Sequence, residues 1–235
     1  MPAFVLVHSP LVGPATWTGV AEVLRARGDD VVVPSLVAAT TTGPPFAAPA
    51  VEAVAAAVDA AGVEGPLVVA AHSGAGPLLP AIGEALGARV VCHLLVDAAL
   101  PMPGRARISE LHPSFRGLLT GLVRPDGTLP PWHEWWGRGA IDGFVPDPDR
   151  RAQVVAELSP IPYALFEEPL PVVPGWPAAP CAYLRLSETY AVEEAAASGM
   201  GWPVTSVHGS HLELVSAPAR VAVAMLDLVA RVLPT

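Results

Sequence analysis

The 235-residue chain has no lysine and no asparagine, only two cysteines, and no uncharged apolar run approaching the roughly 18 residues that a membrane-spanning helix needs. Each shortage excludes something. All 13 basic residues are arginine, set against 22 acidic ones for a formal charge of −9. Nucleic acid and anionic membrane surfaces both require clustered cations, so neither fits as a partner, and a small hydrophobic substrate fits better. Cys92 and Cys181 fall far apart within expected core strands, as packing residues do, and indicate neither a disulfide framework nor a zinc site. The excess of alanine and proline is read as coding bias and carries no functional weight. Met1-Pro2-Ala3-Phe4-Val5-Leu6-Val7 lacks a basic start and reads as a strand, so the expectation is a cytoplasmic chain, not exported.

What is present is apolar patterning. A 52% hydrophobic content and a mean hydropathy of +0.47 are enough for one full core in a chain of this length. Apolar runs at 3–7, 30–33, 66–71, 90–96, 181–186 and 203–207 are short and do not alternate, which marks parallel strands covered on both faces. Helical patterns at 16–27, 47–61, 75–87, 191–198 and 217–232 lie between them, with Gly28, Gly62 and Gly87 just past three of the ends. The alternation predicts an α/β chain with a doubly wound, mostly parallel sheet of about six strands. It breaks over residues 100–178, which are rich in proline, glycine and tryptophan and carry helical patterns near 107–122 and 149–158. The expected organisation is therefore a core of 1–99 and 179–235 with a helical lid insertion at 100–178. A homodimer is an open alternative to a monomer.

The chemistry is expected at Ser73. Residues 66–76 end a buried strand in Ala71-His72-Ser73-Gly74-Ala75, a small-x-Ser-x-small turn that can hold a serine on a strained strand-to-helix corner, with helix N–H groups aimed at a developing oxyanion. The rival reading is a buried serine opening an ordinary helix. Further along, Glu188 follows the next-to-last strand and His211 follows the last, in the order nucleophile, acid, histidine. Asp97, ending the strand after the elbow helix, is the alternative acid. His211 is preferred over His8, His72 and His208 because a helix approach, Leu212-Glu213-Leu214, follows it. Together these features resemble the α/β-hydrolase fold superfamily over nearly the whole chain, in the branch of small esterases and hydroxynitrile lyases. The resemblance implies catalytic Ser73, His211 and Glu188, and no metal or organic cofactor.

One departure stands out. The resemblance places a backbone N–H of the turn after the first strand in the oxyanion hole, but this turn reads His8-Ser9-Pro10-Leu11, and proline has no N–H to give. Gly74 remains as a donor, with the Ser9 hydroxyl or the Leu11 N–H as substitutes. The insertion holds Trp132, Trp135 and Trp136 as expected substrate contacts, with Phe144, Tyr163, Phe166 and Trp176 nearby in sequence. The leading expectation is a serine esterase for a small-to-medium hydrophobic carboxylic ester. The alternatives are a lyase on the same site, eliminating carboxylate or cyanide in specialised metabolism, and an inert ligand-binding member of the fold.

Overall fold

All six apolar runs form strands. The computed structural model describes residues 1–137 and 139–233. Its strands are β1 (Ala3–Val7), β2 (Val31–Val32), β3 (Leu67–His72), β4 (Val90–Val96), β5 (Thr128–Leu129), β6 (Ile161–Pro162), β7 (Cys181–Arg185) and β8 (Val204–Ser206). Six of them build one sheet in the order β2-β1-β3-β4-β7-β8, parallel throughout, while β5 and β6 pair as a separate antiparallel ribbon. Every residue of β1, β3 and β7 is buried, which is why these runs show no alternation in sequence.

The pleat sorts the strand residues between two cores. Phe4, Leu6, Val68, Ala70, Leu94 and Leu184 face a cluster containing the helices Thr18–Ala26 and Pro218–Val232. Val5, Val7, Val69, Ala71, Leu95 and Tyr183 face the opposite cluster, with Ala47–Ala60, Leu79–Leu86 and Ala191–Gly199. Cys92 and Cys181 are free and buried in β4 and β7, and burial pushes each thiol up to about 12. Among the described residues no helix is long and apolar enough to cross a membrane.

Helix Pro113–Leu122 and helix Pro148–Ala156 form within the insertion, the latter capped by Asp147 accepting from the N–H groups of Asp149 and Arg150. The helix Arg107–Glu110 falls at the start of the pattern expected near 107–122, while the short helices Ala140–Phe144 and Ala164–Glu167 have no counterpart in the sequence reading. Leu119, Leu129, Trp135, Ile141 and Phe166 join the first cluster, so the insertion packs into the core of the sheet. One boundary differs near the elbow. Residues Ser73–Leu78 form a 3₁₀ turn and the α-helix begins only at Leu79. Pro77 and Pro80 lack the N–H groups that an α-helical ladder would use there.

Three histidines are sealed in the sheet. His8 follows β1, His72 ends β3 and His93 lies in β4, all almost fully buried. Burial lowers them to about 4, about 3 and about 4, with the nearby His211 adding to the effect on His72. The Leu36 N–H donates to His8 Nε2 at 2.8 Å, which leaves the hydrogen on Nδ1 to reach Ser9 O at 2.8 Å and fixes a neutral tautomer. An unfolded chain takes up a proton at each imidazole near pH 6.5, while the folded chain leaves all three neutral. Their contribution is therefore intact above about pH 6.5 and is lost as pH falls toward 4, by up to about 4 kcal/mol per pH unit for three protons. Urea denaturation should show a clearly lower midpoint at about pH 5 than at about pH 7.5. His93→Gln, which removes one titrating group remote from Ser73, should reduce that difference by about a third.

Candidate active site

Parallel strands put their C-terminal ends along one edge, and the chemistry-bearing residues leave from that edge: Ser9 after β1, Ser73 after β3, Asp97 after β4, Ser187 after β7 and His211 after β8. The connection order reverses between β1 and β3, where an open α/β sheet leaves a crevice. Ser73 and Asp97 are the two non-glycine residues with positive φ among those described, at +56° and +43°. Both are held against local preference by their surroundings. At the elbow those surroundings are tight. Ala71 and Ala75 are fully buried, the Ala99 N–H donates to Ser73 O at 3.2 Å, and a β-carbon on Gly76 would lie 2.1 Å from Ala99 O. The small residues at positions 71 and 75 suffice, and the position that admits only glycine is one further on.

A continuous hydrogen-bond chain runs from Ser73 inward. The Ser73 hydroxyl donates to His211 Nε2 at 3.0 Å, and His211 Nδ1–H donates to Asp97 Oδ2 at 2.7 Å. Asp97 is completely buried, yet all its acceptor directions are used. Oδ1 takes the N–H groups of Leu186 and Ser187 at 2.8 and 2.9 Å, and Oδ2 also takes the Ser187 hydroxyl at 2.7 Å. Burial alone would push this carboxyl up, but the hydrogen bond and charge of His211, with the Ser187 donors, hold it below the ordinary aspartate range. The His72 ring lies 4.6 Å from the imidazole, and its Nε2–H donates to the His211 backbone carbonyl at 3.0 Å. The Tyr190 ring stacks on His211 at 5.2 Å, and its hydroxyl reaches Ser73 Oγ at 3.3 Å.

The expected acid, Glu188, is not part of this chain. Its side chain is 81% exposed and pairs with Arg185 Nη1 at 2.6 Å, three residues back along the chain. The loop that carries it does reach the site, but through Leu186 and Ser187, which serve as donors to the alternative acid, Asp97. His208 is exposed on the loop after β8, and its carbonyl accepts from Arg220.

Above the elbow, a β-carbon on Gly74 would meet Arg107 Nη1 at 2.6 Å, Ser9 Oγ at 3.2 Å and Pro10 Cδ at 3.5 Å. These three side chains therefore crowd around the N–H-bearing residue next to Ser73. The Leu11 N–H points to Ser9 Oγ at 3.3 Å and is occupied there, which leaves the Ser9 hydroxyl hydrogen free to donate. A model of the alpha/beta hydrolase family matches residues 4–224, nearly the whole chain. The chain belongs to that family.

Solved structures of similar fold include an extracellular alpha/beta-hydrolase from a Paenibacillus species (TM-score 0.77, 17% identity, 97% of this chain and 99% of the other). That protein is described as sharing structural and functional homology with tobacco salicylic acid binding protein 2. A pyrethroid hydrolase from Sphingobium faniae (0.71, 21%, 97% and 98%) and tomato methylketone synthase I (0.69, 14%, 99% and 99%) are also similar. No curated protein matches the chain by sequence.

Beside Pro10 and Arg107 lies a small pocket lined by apolar side chains that include Phe46, Leu78, Leu165 and Leu170, with Arg107 and Glu168 as its charged members. Of the tryptophans expected at the ligand, Trp132 lies 6.4 Å from the His211 ring. Trp132, Trp135 and Trp136 are all absent from the lining of the pocket. Trp135 is buried in the insertion with its Nε1–H on Pro130 O, and Trp136 is 44% exposed and packs edge-on against Trp132. Among the described residues no three His, Cys, Asp or Glu side chains gather as a metal site. Tyr190 and Arg107 were not singled out in the sequence; neither sits in a motif that marks it.

Two substitutions should have opposite effects at the elbow. Ser73→Gly removes the positive-φ strain and should raise stability by about 1 kcal/mol in thermal denaturation. Gly76→Ala drives a methyl group into Ala99 O and should cost about 2 kcal/mol or more.

Proposed function

We propose that this alpha/beta hydrolase cleaves small-to-medium hydrophobic carboxylic esters through an acyl-enzyme on Ser73. The observation that carries the reading is the hydrogen-bond chain Ser73–His211–Asp97 at the crevice edge of the sheet. Ser73 Oγ adds to the ester carbonyl carbon as its proton passes to His211 Nε2, and the carbonyl π pair moves onto oxygen. Collapse re-forms the carbonyl and expels the alkoxide, which takes that proton. Water then repeats the cycle on the acyl-enzyme and releases the acid. Asp97 holds the Nδ1–H tautomer and faces the imidazolium formed at each step. The Gly74 N–H and the Ser9 hydroxyl serve the oxyanion. The apolar walls of the pocket beside Pro10 and Arg107 support a hydrophobic acyl or alcohol group. Two of the fold neighbours are named as a pyrethroid hydrolase and a polyneuridine aldehyde esterase, which supports a hydrolytic reading.

A second reading, elimination by a lyase, draws support from one observation: Pro10 removes a backbone donor that acyl transfer would use, and Ser9 puts a hydroxyl beside Gly74. Ester hydrolysis requires Ser73 as nucleophile, whereas elimination requires chiefly His211 as base. Ser73→Ala activity that persists on a β-leaving-group substrate would therefore favour elimination.

A fluorophosphonate probe should label wild-type protein at Ser73 and fail to label His211→Ala. On p-nitrophenyl butyrate, Asp97→Asn should lower kcat by about 10⁴, as loss of the tautomer-fixing acid does in other serine enzymes, while Glu188→Gln should stay within about twofold of wild type. Equal losses in the two variants would count against Asp97 as the acid.

A further inference from the structure

Arg107 is a buried cation with no directly bonded anion, although the charge of Glu168 favours its charged form from across the pocket they share. It is only 8% exposed, and no acidic side chain among the described residues forms an ion pair with it. The carboxylate that shares its cavity, Glu168, is occupied elsewhere, accepting the N–H groups of Phe46 and Ala47 at 2.6 and 2.9 Å at the start of helix Ala47–Ala60. A guanidinium held at low exposure with no direct carboxylate contact keeps its N–H donors open to a charge that arrives later. Its position says which charge. Nη1 lies 2.6 Å from where a β-carbon of Gly74 would stand, among Ser9 Oγ and Pro10 Cδ, on the residue that follows the nucleophile.

We propose, building on the hydrolase reading, that Arg107 supplies the positive charge of the oxyanion hole in place of the backbone N–H that Pro10 cannot give. When Ser73 Oγ bonds to the carbonyl carbon, the displaced π pair leaves a full negative charge on the carbonyl oxygen. Arg107 N–H, Gly74 N–H and the Ser9 hydroxyl then surround that oxygen. Collapse of the adduct returns the pair to the carbonyl and frees the guanidinium unchanged. Because it is a fixed cation in a site lined mainly by apolar groups, its interaction with the oxyanion strengthens as charge develops and is weak with a neutral ester. Arg107 is thus a catalytic residue that acts on kcat more than on KM.

The test uses the full chain, an uncharged p-nitrophenyl ester and the same ester class carrying a carboxylate on its acyl chain. Arg107→Gln should lower kcat on the uncharged ester by about 10²- to 10³-fold with KM within a fewfold of wild type, and should slow fluorophosphonate labelling of Ser73. Arg107→Lys, which keeps the charge, should recover about tenfold over Arg107→Gln, and guanidinium ion should partly rescue Arg107→Ala. If the wild type labels and turns over but both variants keep its kcat, the proposal is overturned and the hydrolase reading stands. A raised KM confined to the carboxylated ester also overturns it, in favour of substrate-anion recognition. If the wild type neither labels nor turns over, the hydrolase reading falls and the proposal falls with it. Circular dichroism on each variant separates these results from misfolding, and guanidinium rescue of a weakened Arg107→Ala supports the proposal independently of how well Arg107→Gln folds.

Discussion

A carboxylate with no solvent exposure must find its hydrogen-bond donors inside the protein, and in this fold that requirement organises the whole upper edge of the sheet. Asp97 draws Leu186 and Ser187 from the end of β7 and His211 from the loop after β8 into one small volume, four donors on two oxygens. Removing any one of them leaves part of a buried charge uncompensated, a cost of order 1–3 kcal/mol or more. The three loops are therefore tied together by the desolvation of one side chain. The orientation of the imidazole toward Ser73 follows from that tie, reinforced by His72 beneath its backbone carbonyl and Tyr190 stacked on its ring.

How far the sequence reveals this arrangement depends on what kind of interaction makes it. The six strands are legible because parallel strands covered on both faces leave unbroken apolar runs, and the helices between them are legible because each buries one stripe. Ser73 and His211 are legible from their places relative to those elements. The acid is not, since Glu188 and Asp97 both follow strands that end at the same edge. What decides between them is direction: Asp97 adopts φ +43°, which turns its side chain under His211, and Glu188 is held outward by Arg185 three residues earlier. The pairing i, i+3 with an arginine was visible in the sequence as a competing partner for Glu188. The left-handed turn at Asp97 was not.

The helical patterns near 107–122 and 149–158 of the insertion correspond to helices Pro113–Leu122 and Pro148–Ala156, but its tryptophans cannot be assigned to a side from sequence. Trp135 is drawn inward because its indole N–H finds the Pro130 carbonyl, a contact set by a local turn with no periodic signal. Trp136, its neighbour in sequence, is left partly in solvent by the same turn. Arg107 escaped notice for a related reason. A single arginine at the start of a helical pattern carries no mark of function, and its significance comes only from what the fold places beside it.

Charge accounting across the site connects these features. At rest, Asp97 carries a negative charge held by donors, and Arg107, under the role proposed for it, carries a positive charge with no directly bonded counterion. Attack by Ser73 creates one new charge of each sign: an imidazolium on His211 and an oxyanion on the substrate. The imidazolium forms against Asp97, already within 2.7 Å, and the oxyanion forms against Arg107, beside Gly74. Each new charge thus meets an opposite one fixed in advance in a poorly solvated crevice, where such pairs are worth more than in water and little reorganisation is needed to form them. In this account the proline at position 10 is tolerated because a full cation replaces the partial charge of the missing amide. The same arrangement ties the chemistry at the sheet edge to the placement of the helix Arg107–Glu110 in the insertion.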